Sequence, residues 1–401
     1  MYVLLIIILS YFIYYKYETI IAKEAITDNF ENYKLNPYIK MSVPINLEKY
    51  SIVSDEINTI PYYISLSLKF ILGDIKLKVV TKTNENINRT NIGDINLGIY
   101  NLGICTEYEL LKLANMKHPN SLVPLKNIRV VCSLNKSYVF LIVHDNSGIK
   151  SLKDLIGKTI GITSRYSGTY SILKELCDIM GFKLKNITNK DINDINTIYF
   201  KTEGINQLFN LFFQKEIQCL FIVSSHNLPY IFSLTEKIPI RILDINESEF
   251  DIFRKKTSSE FVFLTRTRIN IEPYNTFNHS RYLDTFYTRN ILICNSSIPT
   301  KSIYNITKNL FNNIDTIKST IVKIGMRYFD ETQDPLYDDF KKEYMVYSNY
   351  KLQLHKGSYL YYKEINMFVD KEQKCEFFNN KCNILPFEKI KPHSRSILNS
   401  V

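Results

Sequence analysis

Between residues 76 and 294 the sequence repeats one pattern: a short β-branched, apolar run, then a stretch whose apolar residues recur every three or four positions. The runs are 76–80, 96–100, 129–133, 139–144, 159–163, 219–224, 240–243 and 290–294, each of a length and composition suited to a buried strand. Leu173, Leu176, Cys177 and Met180 form one helical stripe, and Ile303, Ile306, Leu310 and Ile314 another; such stripes turn toward a core. Strand–helix alternation of this kind builds mostly parallel sheets covered by helices, an α/β fold. At 401 residues the chain exceeds one ordinary domain and holds two lobes comfortably. With 45% apolar residues it can bury a sizeable core.

The first fifteen residues, MYVLLIIILSYFIYY, carry no charge and are broken only by Ser10. That is short of the ~20 residues that span a bilayer comfortably, and close to the ~7–15 of a signal-peptide core. Tyr11, Tyr14, Tyr15 and Lys16 can extend the segment into the membrane interface. No basic region precedes it, and no small-x-small site directly follows, although Ala22 and Ala25 leave cleavage open. An N-terminal hydrophobic helix at 1–15, kept as a transmembrane anchor, is favoured over a cleaved signal and a secreted product; a buried core strand is the third reading. In the first two the body lies extracytoplasmic. Residues 16–45 are polar, with Pro44 near their end, and read as a linker.

The net charge of +10 raises nucleic acid or anionic membrane as a partner. Lys, Asn, Ile, Tyr and Phe are all plentiful while Trp is absent, a composition expected of an AT-rich genome, so the Lys excess carries little functional information. No basic block interleaved with aromatics, zinc-finger spacing or RNP-like motif supports nucleic acid, and that partner is set aside. Cys105, Cys132, Cys177, Cys219 and Cys294 lie in or beside apolar runs and read as small buried hydrophobes. Cys375 and Cys382 stand in a polar tail, VDKEQKCEFFNNKCNI, at a spacing that can close a small disulfide loop in an oxidising compartment. The histidines are scattered singly and no cysteine pair has knuckle spacing, so no metal or cofactor is expected.

Residues 148–182, GIKSLKDLIGKTIGITSRYSGTYSILKELCDIMGF, carry the functional signal. Gly157-Lys158-Thr159 mimics the end of a P-loop, but Leu152 stands where that motif needs glycine, and a strand-like run follows where it needs a helix. The strand at 159–163 leads through a polar loop into an amphipathic helix, with Ser167, Gly168 and Thr169 at the junction. Free backbone N–H groups and hydroxyls at such a helix start favour an anion. On spacing alone, Ser167 or Thr169 serving purely as a helix cap is the favoured reading.

This segment resembles the solute receptors of tripartite ATP-independent periplasmic (TRAP) transporters, in particular the TAXI branch, where an IKSLADLKGK lead-in precedes a strand and a GSGT-like ligand loop. Other likenesses follow in order: GDINLGIYN from Gly93 to the family's GEADLGI strand, with Glu85-Asn86 at the distance of its EN motif; IQCLFIVSSH to DAFFYVAG; IPTKSIYNITKNLFNN to VPEDVVYEITKALFEN; and LHKGSYLYYKE from Leu354 to LHPGAERYYKE. Together they span about residues 48–364. The resemblance implies a two-lobed type II periplasmic-binding-protein-like fold with mostly parallel sheets. It places the receptor domain at 46–364, lobe I at about 46–138 and 245–364 and lobe II at about 139–244, leaving 365–401 as an extension. It further implies a solute-binding protein that does no chemistry. The lobes would clamp a small carboxylate, glutamate-like or a dicarboxylate, in partnership with a membrane permease.

Carried onto this chain, the ligand contacts would be Ser167, Gly168 and Thr169 on lobe II; Arg165 beside them reads equally as a guanidinium clamp or as a solvated loop side chain. On lobe I they would be Asn86, whose amide both donates and accepts, with Thr59, Tyr62 and Tyr63, and Asn101. Here the chain departs from the family. INTIPYY at 57–63 replaces a GGTYY-type loop and loses both glycines. Asn101-Leu102-Gly103 stands where the family has QSD, and Ser225, His226 and Asn227 replace a G-x-P turn. These losses sustain a second reading: an ectodomain that keeps the fold without binding solute and acts as an interaction or structural protein. Were the source a large DNA virus rather than an AT-rich bacterium, that protein would be a virion or host-membrane component. No nucleophile or acid/base pair supports an enzyme.

Overall fold

The computed structural model describes residues 49–54, 60–73, 76–81, 91–114, 125–163, 167–189, 194–225, 229–256, 264–325, 340–347 and 352–367. Internal contacts divide the chain into Met1–Asn46 and Leu47–Val401, and everything described belongs to the second unit. The anchor and linker expected at 1–45 and the Cys375–Cys382 loop lie outside the described residues. No helix among the described residues is long and apolar enough to cross a membrane.

In chain order the elements are β1 (Lys49–Ser54), α1 (Ile60–Ile71), β2 (Lys76–Thr81), α2 (Asn91–Asn96), β3 (Leu102–Thr106), α3 (Glu107–Ala114) and β4 (Ile128–His144). There follow β5 (Thr159–Ile162), α4 (Gly168–Met180), β6 (Lys183–Asn186), β7 (Thr197–Thr202), α5 (Ile205–Phe213), β8 (Cys219–Ser224), α6 (Pro229–Thr235), β9 (Ile240–Ile242), α7 (Glu247–Lys256) and β10 (Thr265–Asn270). The last are β11 (Tyr282–Asn295), α8 (Thr300–Asn312), α9 (Ile314–Gly325), α10 (Lys342–Met345) and α11 (Lys356–Glu364).

The strands run in the order β2-β1-β3-β11-β4-β8-β5-β7-β6, with β10 added beside β11 and β9 beside β4. β1 pairs in parallel with β2 and β3, and β5 in parallel with β7 and β8, as β6 does with β7. Between these two parallel groups pass β4, of 17 residues, and β11, of 14, paired antiparallel to each other. At about 3.4 Å per residue either is long enough to serve two lobes. β3 ends opposite the middle of β11, with Thr106 beside Asn290; β8 ends opposite the middle of β4, with Ser224 beside Tyr138. Strands of one lobe therefore terminate toward strands of the other across a two-stranded ribbon. This is an α/β architecture in which two parallel strand groups are joined through an antiparallel ribbon.

Two expectations are corrected. The runs 129–133 and 139–144 are one strand; Asn135, Lys136 and Ser137 broke the apolar pattern while the strand continues through them, with a register shift against β11 between Lys136 and Ser133. The strand expected at 96–100 is a turn after α2, closed by Gly98 at φ +75° with Gly98 N–H donating to Ile95 O and Ile99 N–H to Asp94 O. The true strand is β3, five residues long and starting at Leu102. Leu-Gly-Ile occurs in both stretches; burial separates them, since Leu97 and Ile99 are exposed while Leu102 and Ile104 are buried.

Among the described residues two apolar clusters form the core. The larger draws Ile52, Leu102 and Tyr108 from the first lobe together with Leu173, Phe200 and Phe221 from the second. The smaller gathers Tyr138, Phe140 and Ile142 of β4 with Leu208, Ile231 and Tyr274. Val139, Leu141 and Val143 alternate with those β4 residues and join the larger cluster, so this half of β4 is covered on both faces. Both predicted helical stripes face the core, on α4 and along α8 into α9. Cys105, Cys132, Cys177, Cys219 and Cys294 are buried, as expected.

Candidate functional site

The expected anion loop forms a capped helix start. Ser167 takes an extended backbone (φ −89°, ψ 159°) and its side chain accepts from Tyr170 N–H at 3.3 Å, opening α4. The first turn of α4 holds no acidic residue. Facing it is the start of α3, where Thr106 Oγ1 accepts from Glu109 N–H at 3.2 Å and Glu107 and Glu109 lie in the first turn.

These two helix starts meet. A Cβ built on Gly168 would stand 3.0 Å from Thr106 Oγ1 and 3.5 Å from Glu109 Oε2. Further along, the Tyr108 hydroxyl reaches Ser171 O at 3.3 Å and Glu175 Oε2 at 3.5 Å, and Lys112 forms an ion pair with Glu175. Tyr108 is 1% exposed; burial first, then the Glu175 carboxylate, holds its phenol well above the ordinary range. The negative group beside the positive end of α4 is thus Glu109, supplied by the other lobe, an arrangement favoured at a helix N-terminus. The Thr106–Lys112 and Gly168–Glu175 faces form a seam that joins the lobes on this side.

Beneath the seam the ribbon is polar and self-satisfied. Asn135 donates to Ser225 Oγ at 2.7 Å, while Asn290 donates to Asn135 Oδ1 at 3.2 Å and to Ser137 Oγ at 3.0 Å. Thr288 Oγ1 accepts from Tyr108 N–H at 3.3 Å. All five side chains are buried, and their mutual bonds offset the cost of removing them from water. Thr288 is directly opposite Ser137; the flanking pairs Arg289–Lys136 and Tyr287–Tyr138 therefore point to the other face.

The remaining expected contacts scatter. Thr59, Asn86 and Arg165 lie outside the described residues, as do His226 and Asn227. Tyr62 and Tyr63 are on α1, their ring centroids 5.5 Å apart and edge-on, with Tyr63 buried. Asn101 precedes β3, at the opposite end of that strand from Thr106, where its Oδ1 accepts from Ser51 N–H at 2.9 Å and Ser51 Oγ at 3.1 Å. With β3 correctly placed, the residues at its end and just beyond are Thr106, Glu107 and Glu109. Sequence reasoning passed over them, although Thr106-x-x-Glu109 has capping-box spacing and could have marked the helix start. Among the described residues no group of three or more His, Cys, Asp or Glu could hold a metal ion.

Solved structures similar to this chain include a periplasmic sulfonate-binding protein, SsuA, from Methylobacillus flagellatus, at 13% identity over 80% of this chain and 96% of that one, TM-score 0.46. Others are the periplasmic binding protein BugD, at 9% identity over 81% and 100%, TM-score 0.45, and MatC from Rhodopseudomonas palustris with bound malate, at 9% identity over 71% and 90%, TM-score 0.43. A search of curated proteins finds no match. The profile described as the NMT1-like family covers residues 73–365, well over half of the chain, and the chain belongs to the NMT1-like family.

Proposed function

We propose that this protein is an extracytoplasmic solute receptor that captures a small carboxylate, glutamate-like or a dicarboxylate, between its lobes without acting on it chemically. One observation carries the reading: the parallel strands of both lobes end toward each other across the β4–β11 ribbon, and ligands of open α/β sheets bind beyond the carboxyl ends of strands. Ligand would favour the closed arrangement by contacts made to both lobes at once. In this reading the N-terminal segment tethers the protein to a membrane beside a TRAP-type permease, as the likeness to TAXI receptors suggests. Ser167 and Thr169 then meet ligand only when α3 and α4 separate.

Thermal denaturation of the purified protein with millimolar succinate, L-glutamate and related acids tests this. A ligand at 100 times its Kd adds about 2.7 kcal/mol, a rise of several degrees in Tm. Unchanged Tm across the panel, with no heat in calorimetry, would remove the receptor reading.

The seam favours a second reading, a fold-retaining interaction protein, because Thr106 and Glu109 cover Gly168 and the larger cluster runs through both lobes. Its mark is a solution scattering profile that no small acid alters.

A further inference from the structure

We infer that Glu109 is a built-in competitor of the ligand: its carboxylate, carried by lobe I, stands at the start of α4 where the ligand's own carboxylate would sit, and makes the seam an autoinhibitory clasp, an inference that rests on the receptor reading above. Side chains of one lobe here close over the backbone of the other. Thr106, the last residue of β3, and Glu109 cover Gly168, with Oγ1 3.0 Å and Oε2 3.5 Å from the position of a Cβ there. A side chain at 168 would hold them off.

Of the seam acids Glu107, Glu109 and Glu175, two are engaged away from the start of α4. Glu107 Oε1 accepts from the Tyr347 hydroxyl at 3.2 Å, and Glu175 is held by Lys112 and the Tyr108 hydroxyl. Glu109 is the one whose carboxylate lies against the first residue of α4. The first turn of α4 has no acid of its own, so the negative charge favoured at that helix end comes from the other lobe. Two carboxylates do not share one such place, because like charges disfavour each other. A ligand acid therefore displaces Glu109, and the apparent affinity is the intrinsic affinity reduced by the fraction of molecules in which Glu109 has withdrawn. The Tyr108 hydroxyl on Ser171 O and the Lys112–Glu175 ion pair add weight to the clasped side of that equilibrium. Removing the Glu109 charge should thus act with opposite signs, lowering the stability of the free protein while raising its affinity. An acid that only braced a binding-competent arrangement would lower both.

Full-length wild type and the variants Glu109→Gln, Glu109→Asp, Tyr108→Phe and Tyr362→Phe are titrated with succinate and L-glutamate by calorimetry, and melted without added acid, after circular dichroism confirms folding. Glu109→Gln is expected to melt lower and to bind about 10-fold tighter. Glu109→Asp, which keeps the charge on a shorter arm, and Tyr108→Phe should each bind about 3-fold tighter. Tyr362→Phe loses a buried bond to Val131 O, 2.8 Å long and outside the seam, and should melt lower with wild-type affinity. Wild-type or weaker affinity in Glu109→Gln overturns the clasp and leaves the receptor reading standing. Equal tightening in Tyr362→Phe overturns it too, since loosening of any kind would then suffice. Should Glu109→Gln not fold, Glu109→Asp and Tyr108→Phe decide by the same rule. A wild type that binds neither acid overturns the receptor reading, and this clasp with it.

Discussion

Gly357 lies where α11 crosses α8 so closely that a Cβ would stand 2.4 Å from Thr300 O and 2.5 Å from Tyr304 N. Backbone cannot yield as a side-chain tip can, so Gly357→Ala should cost about 3 kcal/mol, read as a lowered urea midpoint with the slope unchanged. Its neighbour His355 caps the same helix: Nδ1 accepts from Gly357 N–H at 3.0 Å and Nε2 meets Ile298 O at 3.2 Å. Burial, with Arg129 adding to it against the Ile298 bond, lowers the imidazole pKa from 6.5 to about 4. The unfolded chain then binds more protons between those values. The contribution is complete above pH 6.5 and is lost as pH falls toward 4, by about 3 kcal/mol in all. His355→Asn, which keeps a cap acceptor, should flatten that slope in denaturation curves taken at a series of pH values. The LHKGSYLYYKE likeness pointed to this stretch, yet what its histidine and glycine do is hold two helices together. Letters alone do not separate a packing residue from a binding one.

At the level of elements, the seam is a unit made of α3 and α4. Lys112 and Glu175 have side chains 22% and 12% exposed, so Lys112→Met leaves a largely buried carboxylate without its cation and should cost about 2 kcal/mol. Tyr108→Phe should cost about 1 kcal/mol. Because both residues act on Glu175, the double variant should depart from additivity by about 0.5 kcal/mol or more in a urea denaturation cycle; strict additivity would count against a shared unit. α4 was legible from its apolar stripe and Ser167 cap, and β2, β5 and β8 from their β-branched runs. β6 and β10 were not, since KLKN and TRTRIN are edge strands with little apolar content. Nor was the closure of the seam, because Tyr108 meets Ser171, Glu175 and Thr288, at 63, 67 and 180 residues' separation, and local pattern contains no such pairing.

For the whole molecule, a core common to both lobes implies common unfolding. The larger cluster joins Ile52 and Leu102 to Leu173 and Phe221, so neither lobe can lose its packing while the other keeps it. Scanning calorimetry should show one peak for this body with calorimetric and van't Hoff enthalpies equal; two resolved peaks would contradict the shared core. The fold class was legible in the strand–helix alternation, because parallel strands need crossover helices. The β4–β11 ribbon was not, since its two strands meet only through long-range pairing. The buried cysteines add a built-in clock. Burial pushes the Cys177 thiol up to about 12 and those of Cys132, Cys219 and Cys294 higher still, so in the native state they are neither nucleophiles nor readily oxidised. A thiol reagent can reach them only after the surrounding strands or helix open, and the rate at which each one is labelled measures how often its part of the sheet comes apart.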